Sequence, residues 1–414
     1  MSEQISEVAN ELLRNLSKAS KRGNEFTKEI IENEMGLIHY ISAGENTSVD
    51  DETGTISTKL PPINICLVAP TGAGKTTILS TIINHLEYNI HKADGFSVVS
   101  ASPRDATILN EFNLDLTTKL ATGEIRLDMS IQQGTSEVQT YEFHIKYKYN
   151  VKNKPVELIQ PFVIMDIPGR YLNPDELGRM DKVFEEHLNN SQIVWIPVDA
   201  PVLMTPVAEN NEQKAWSVAL SRTDAMHKLL HTWAQFANKA FSEKSLPSNV
   251  CFVPVKCESY LQRNRIELKD NVRNRYQETI SSISSESPNT KIYYIPVETV
   301  GCVKLIDWKW SGEPASLKTD YTVIDDGKRK ISGADGLLYS LFDFTLFQLN
   351  KRYENDKTAL NKLIGNAGFF DTIMGRKRDW KSIEADLWKI HVNLEPLISE
   401  LMRLKDSSRV EVWN

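Results

Sequence analysis

The stretch Ile63-Asn64-Ile65-Cys66-Leu67-Val68-Ala69-Pro70-Thr71-Gly72-Ala73-Gly74-Lys75-Thr76-Thr77 decides how this chain folds. Ile63 to Ala69 is short, apolar and rich in β-branched side chains, which suits a strand buried on both faces. Two glycines then mark a turn, and Lys75 to Tyr88 reads as a helix. A strand, a glycine-rich turn and a helix together make an anion site. Backbone N–H groups converge in the turn, and the helix dipole points at whatever they hold.

Ala69 to Thr77 fits the P-loop (Walker A) pattern, with Ala69 in place of its first glycine. That pattern gives Thr71, Gly72, Ala73 and Gly74 the cradle, and Lys75 the neutralisation of the β- and γ-phosphates. The Thr76 hydroxyl would ligate Mg²⁺, and Thr77 would sit by the α-phosphate. A second motif follows at Phe162-Val163-Ile164-Met165-Asp166-Ile167-Pro168-Gly169. An apolar strand ending in Asp places a carboxylate at the carboxyl edge of a sheet, where the glycine-rich turn also opens. Asp166 is read as a Mg²⁺ ligand acting through a water, and the Gly169 N–H as a donor to a γ-phosphate.

With Asp166 to Gly169 as its Asp-x-x-Gly, the sequence resembles P-loop GTPases of the TRAFAC (translation-factor and Ras-like) class. The resemblance implies a base-reading Asn/Thr-Lys-x-Asp after a later strand, and Val255-Lys256-Cys257-Glu258 stands in that place. Lys256 would lay its stem over the base. Glu258, one methylene longer than the usual Asp, would accept the N1 and N2 hydrogens of guanine. Pro296-Val297-Glu298-Thr299-Val300-Gly301 occupies the place of the last motif, where backbone N–H groups contact the guanine oxygen. Thr135, after Gly134 and before an alternating strand, is the expected switch threonine of the Mg²⁺ and γ-phosphate shell. Thr117 and Thr118 are weaker candidates on a helix. Arg170 replaces the Gln that often follows Asp-x-x-Gly. It either stabilises transition-state charge in cis or is a surface residue of a loop, so slow hydrolysis is expected.

Elsewhere the chain alternates. Tyr141, Phe143, Ile145, Tyr147 and Tyr149 interleave with charged residues, the period of a strand with one wet face near a sheet edge. Apolar strands follow at 162–165, 193–198, 250–255 and 292–297. Helical stretches stand at 103–121, 174–189, 209–240, 264–283 and 334–352. The expected fold is α/β, a P-loop NTPase three-layer sandwich with a mainly parallel sheet and helical additions at both ends. The expected organisation is an N-terminal helical region and linker over 1–60, a GTPase-like domain over 61–352 and a helical tail over 353–414. Residues 43–59 read as linker. In the tail, Trp380, Ile383, Leu387, Ile390, Leu394, Leu397, Leu401 and Leu404 follow a heptad seam, which Pro396 should divide. The long stretch before Thr135, the insertion after Val198 and the helical tail are similar to double-GTPase-type bacterial relatives. That likeness implies a multi-protein, defence-related system.

A net charge of −7 over 414 residues argues against general nucleic-acid binding. The start lacks a secretory signal, and no apolar run spans a bilayer, so a cytoplasmic protein with no membrane contact is expected. Cys66, Cys251, Cys257 and Cys302 show no CxxC spacing and read as reduced thiols. His227 and His231 share a helix face without a third ligand and read as structural. The implied function is a GTP/GDP switch with Mg²⁺, meeting protein partners through its switch loops and helical termini. An ATPase of another P-loop class and a non-hydrolysing nucleotide-bound scaffold stand beside it.

Overall fold

The computed structural model describes residues 47–49, 55–89, 96–100, 103–122, 138–151, 154–172, 182–204, 211–243, 247–312, 315–347, 395–407 and 409–413. The strands are β1 (Thr47–Val49), β2 (Ile56–Lys59), β3 (Ile63–Leu67), β4 (Phe96–Ser100), β5 (Gln139–Val151) and β6 (Lys154–Asp166). Then come β7 (Ile193–Asp199), β8 (Ser248–Val255), β9 (Thr290–Tyr294), β10 (Val303–Gly312), β11 (Ala315–Val323) and β12 (Glu411–Val412). The helices are α1 (Lys75–Asn89), α2 (Pro103–Thr122), α3 (Lys182–Asn190), α4 (Ala200–Met204), α5 (Asn211–Ser221) and α6 (Thr223–Glu243). They continue with α7 (Arg265–Arg275), α8 (Gln277–Glu286), α9 (334–347) and α10 (Glu395–Ser407).

The chain divides into two compact units. The smaller comprises Met1–Pro61, Lys146–Gln160 and Thr345–Ile398. In it, β1 pairs antiparallel with β2, and β2 runs parallel to the first half of β6, Ile56 opposite Val156. The stretch 43–59, expected as linker, therefore contributes two short strands, because Ile56 to Lys59 carry the β-branched residues that a ladder accepts.

The larger unit comprises Pro62–Ile145, Pro161–Phe344 and Ser399–Asn414. Its central strands run in the order β6, β3, β7, β8, β9, all parallel, with β12 antiparallel at the far side of β9. β5 pairs with β6 and β4. Tyr141, Phe143 and Ile145 are buried while Glu142 and His144 are partly exposed, the one-sided alternation the sequence predicts. Helices cover the parallel strands. Met226, Leu230, Trp233 and Ala234 of α6 are buried with Val194, Ile196, Val250 and Phe252. The Trp233 indole N–H donates to the Ser191 carbonyl at 3.0 Å, so even this buried ring is satisfied. The architecture is α/β with a mixed central sheet flanked by helices, broadly consistent with a P-loop-like three-layer sandwich.

Two expected helices are each divided. The 209–240 stretch breaks at Arg222, whose φ is 49°, into α5 and α6. The 264–283 stretch breaks at Tyr276 into α7 and α8. The N-terminal helical stretches, Thr135 and the seam from Trp380 to Leu394 lie outside the described residues. The last part of the seam is α10, which begins at Glu395 with Pro396 in its first turn, as a helix-initiating proline does.

Candidate phosphate and base site

β3 has β6 on one side and β7 on the other, so chain order reverses at its carboxyl end. Ligands of parallel α/β sheets sit in the crevice that such a reversal opens. Leu67 is in register with Asp166 on β6 and Trp195 on β7, and the glycine-rich turn leaves β3 directly beyond it.

In that turn Gly72 and Gly74 stand at φ 83° and 91°, a region closed to side chains with a Cβ except under strain. The Ala73 N–H donates to the Pro70 carbonyl at 3.3 Å, and Ile78 N–H to Gly74 carbonyl at 3.0 Å starts α1. Lys75 is 7% exposed, and its ammonium donates to the Ala69 carbonyl at 3.0 Å. Burial lowers its pKa, and the nearby Asp166 carboxylate opposes that shift. Asp166 is itself 1% exposed. A buried cation and a buried carboxylate thus lie close together at this turn. Thr76 and Thr77, on the first turn of α1, are partly buried, and Thr71 at the crest is exposed.

Gly169 opens a 3-10 turn, Gly169–Leu172. A Cβ at Gly169 would overlap the Thr71 nitrogen and lie 2.6 Å from the Pro70 carbonyl carbon. The second motif therefore touches the first backbone to backbone. Arg170 is exposed, with its guanidinium carbon 5.4 Å from the centroid of the Tyr171 ring.

Lys256 follows β8 at φ 58°, the left-handed region for a residue that has a Cβ. Its ammonium donates to the Gly72 carbonyl at 3.0 Å and pairs with Asp199. Asp199 ends β7 and also accepts the Val202 N–H at 3.2 Å, capping α4. A cavity of about 250 Å³ lies along the outer flank of the turn, lined among others by Thr71, Gly72, Asp199, Ser221, Lys256 and Leu317. Lys75, Asp166, Glu258 and Thr299 do not line it.

Glu258 lies against the loop after β9. Its Oε1 accepts the Val300 N–H at 2.9 Å and the Gly301 N–H at 3.3 Å. Burial raises the Glu258 pKa, and those backbone donors pull it back down. Thr299 is 2% exposed, and its carbonyl accepts from Arg329 Nε at 3.0 Å. Arg329 also donates to Asn113 Oδ1 at 2.7 Å and Thr81 Oγ1 at 3.0 Å, joining α1 and α2 to this loop. Asp199 and Arg329 were missed by the sequence reading. Asp199 carries the same signature as Asp166, an apolar strand ending in Asp, whereas Arg329 carries none.

The residues present fit a small divalent ion. One buried carboxylate and one hydroxyl suit Mg²⁺, which keeps waters and takes phosphate oxygens to complete its shell. Among the described residues no group of three or more His, Cys, Asp or Glu could hold a metal. His231 Nδ1 lies 2.8 Å from Ser282 Oγ, with the His227 ring stacked 6.1 Å away. Among the described residues no helix is long and apolar enough to cross a membrane.

No family model matches the sequence, and no curated protein does. Among solved structures the chain is similar to the signal recognition particle receptor SRb-GTP/SRX complex from Chaetomium thermophilum. The identity is 12% and the TM-score 0.32, over 58% of this chain and 94% of that one.

Proposed function

We propose that the chain is a GTP-binding switch with slow hydrolysis, loaded with Mg²⁺ and read by protein partners. The observation that carries the proposal is the meeting of Lys75, Asp166 and Gly169 at one turn whose glycines hold left-handed backbone. That combination serves an anion needing both a counter-charge and a metal-binding carboxylate. Thr76 and Asp166 would hold the Mg²⁺, which neutralises phosphate charge when bound. The N–H groups of Gly72 and of residues 74–77 would orient the phosphates, the Ala73 N–H being held by the Pro70 carbonyl, and Lys75 would neutralise them.

Guanine is favoured over adenine by Glu258 and the Thr299–Gly301 loop, a carboxylate beside backbone donors. Lys256 ties the base side to the phosphate side through Gly72. Partners would meet the loops near Thr135 and Gly169 and the helical termini, within a multi-protein system. Slow turnover follows from Arg170 in the place of a water-orienting Gln, with its guanidinium over its own neighbour's ring.

Competition binding with GTP, GDP and ATP tests this reading. GTP and GDP should compete at least about 100-fold better than ATP, because a site built to hydrogen-bond a polar edge rejects a base that lacks it. Equal competition by ATP would favour an ATPase of another class. Partner binding insensitive to nucleotide, without phosphate release, would favour a scaffold.

A further inference from the structure

The cavity on the outer flank of the glycine-rich turn lies wholly within the larger unit. Thr76, Asp166, Gly169 and Glu258, which serve the Mg²⁺, the γ-phosphate and the base, are all absent from its walls. Its volume of about 250 Å³ is below the roughly 300 Å³ at which drug-sized pockets begin. A whole nucleotide does not fit there. One ring bearing one polar group does.

The walls are of two kinds. Pro70 of the turn, Val202 of α4, Leu220 of α5, Tyr276 between α7 and α8, and Leu317 of β11 supply apolar surface. Among them stands one ion pair, Lys256 and Asp199, whose side chains are 15% and 20% exposed. An ammonium has three N–H donors, and among the described residues Gly72 and Asp199 take two of them. A carboxylate accepts from about four directions, and the Val202 N–H and Lys256 take two. A spare donor and a spare acceptor are left side by side, next to apolar surface.

We propose that this cavity binds a small aryl carboxamide. The amide oxygen accepts from Lys256, the amide nitrogen donates to Asp199, and the ring lies against Val202, Leu220 and Leu317. A carboxylate in the same place meets the like charge of Asp199, and an ammonium meets that of Lys256. Either ion also sheds more hydration on entry than a neutral amide does. Lys318, on the same wall, is exposed, and water and salt screen its charge. An Asn or Gln side chain of a partner carries the amide on two methylenes at most, too little to cover these apolar walls. The site stands whichever nucleotide the turn takes.

The test is saturation-transfer NMR titration of the full chain with benzamide, benzoate and benzylamine, which share a ring and differ in charge. Benzamide should bind about tenfold more tightly than either ion, the worth of roughly one bond to a charged group. Leu317→Trp fills the space and should weaken benzamide about tenfold or more. Asp199→Asn removes the like charge and should raise benzoate to the affinity of benzamide or above it. Saturating GDP should leave benzamide bound. Equal affinity for the three probes in the unaltered chain overturns the proposal, and so does a lack of benzamide binding. Both outcomes are read without any variant, so they decide the matter even if neither variant folds. Benzamide binding undiminished in a folded Leu317→Trp chain overturns it as well, since the probe then sits elsewhere. Displacement of benzamide by GDP does the same, because the cavity then belongs to the nucleotide.

Discussion

Gly169 lies so close to Thr71 that a single added carbon would overlap the Thr71 backbone nitrogen. The loop after β6 and the glycine-rich turn after β3 thus pack as bare backbone, with no flexible side chain between them to yield. Gly169→Ala must push one loop off the other. It is expected to lower stability by roughly 1–3 kcal/mol, the range for overpacking. The fall in urea midpoint at unchanged slope measures it. A variant as stable as the parent would show that the loops part freely.

Lys256 holds a left-handed backbone, and its ammonium bonds Gly72 and Asp199. Lys256→Ala removes both bonds and keeps the backbone strain, so a loss of about 1.5–3 kcal/mol is expected. Lys256→Gly removes the same bonds and relieves the strain. It should therefore be the more stable of the two variants, by roughly 1 kcal/mol. Thermal or urea unfolding of the pair checks the order, and the reverse order would mean the backbone is relaxed at this residue.

Lys75 is held below its ordinary pKa of 10.5 by burial, with Asp166 working the other way. Its folded pKa is thus below its unfolded one. The charged form weakens the fold below the folded value, and stability rises as pH climbs through the window between the two. Phosphate needs the charged form, so triphosphate affinity should fall as pH climbs through that same window. Binding there should take up a proton. Calorimetric titrations in buffers of different ionisation enthalpy measure the uptake. Lys75→Ala should weaken triphosphate binding about 100-fold or more, and unchanged affinity would remove the phosphate site.

Arg329 donates to three acceptors on three segments: Thr81, Asn113 and the Thr299 carbonyl. Thr81 and Thr299 are 0% and 2% exposed, so removing the guanidinium strands acceptors that water cannot readily reach. Arg329→Ala is expected to cost about 3 kcal/mol. Arg329→Lys should recover only part of this, because an ammonium does not reproduce the planar fork. Full recovery by Lys in urea titrations would count against the geometry.

The elements that were legible in the sequence are those with a local cause. The apolar run of β3, the alternation of β5 and the glycine-rich turn each write their structure into neighbouring residues. The break at Arg222 has no such signature, since no Gly or Pro stands between Asn211 and Glu243 to mark it. Arg329 was hidden for a related reason. Its partner Thr81 is 248 positions away, and a contact of that separation leaves no periodic trace. Glu258 was legible as a carboxylate at the right place, but its bonds to Val300 and Gly301 depend on how two loops meet in space.

Cys257 stands between Lys256 and Glu258 and is fully buried, and burial with the adjacent Glu258 charge pushes its thiol well above the ordinary range. Only thiolate reacts with alkylating reagents, so the residue is chemically silent while this corner stays shut. The other three cysteines are buried too, and peptide mapping separates their labelling from that of Cys257. The native chain therefore carries its own stopwatch: iodoacetamide uptake at Cys257, with and without nucleotide, times how often the end of β8 comes undone.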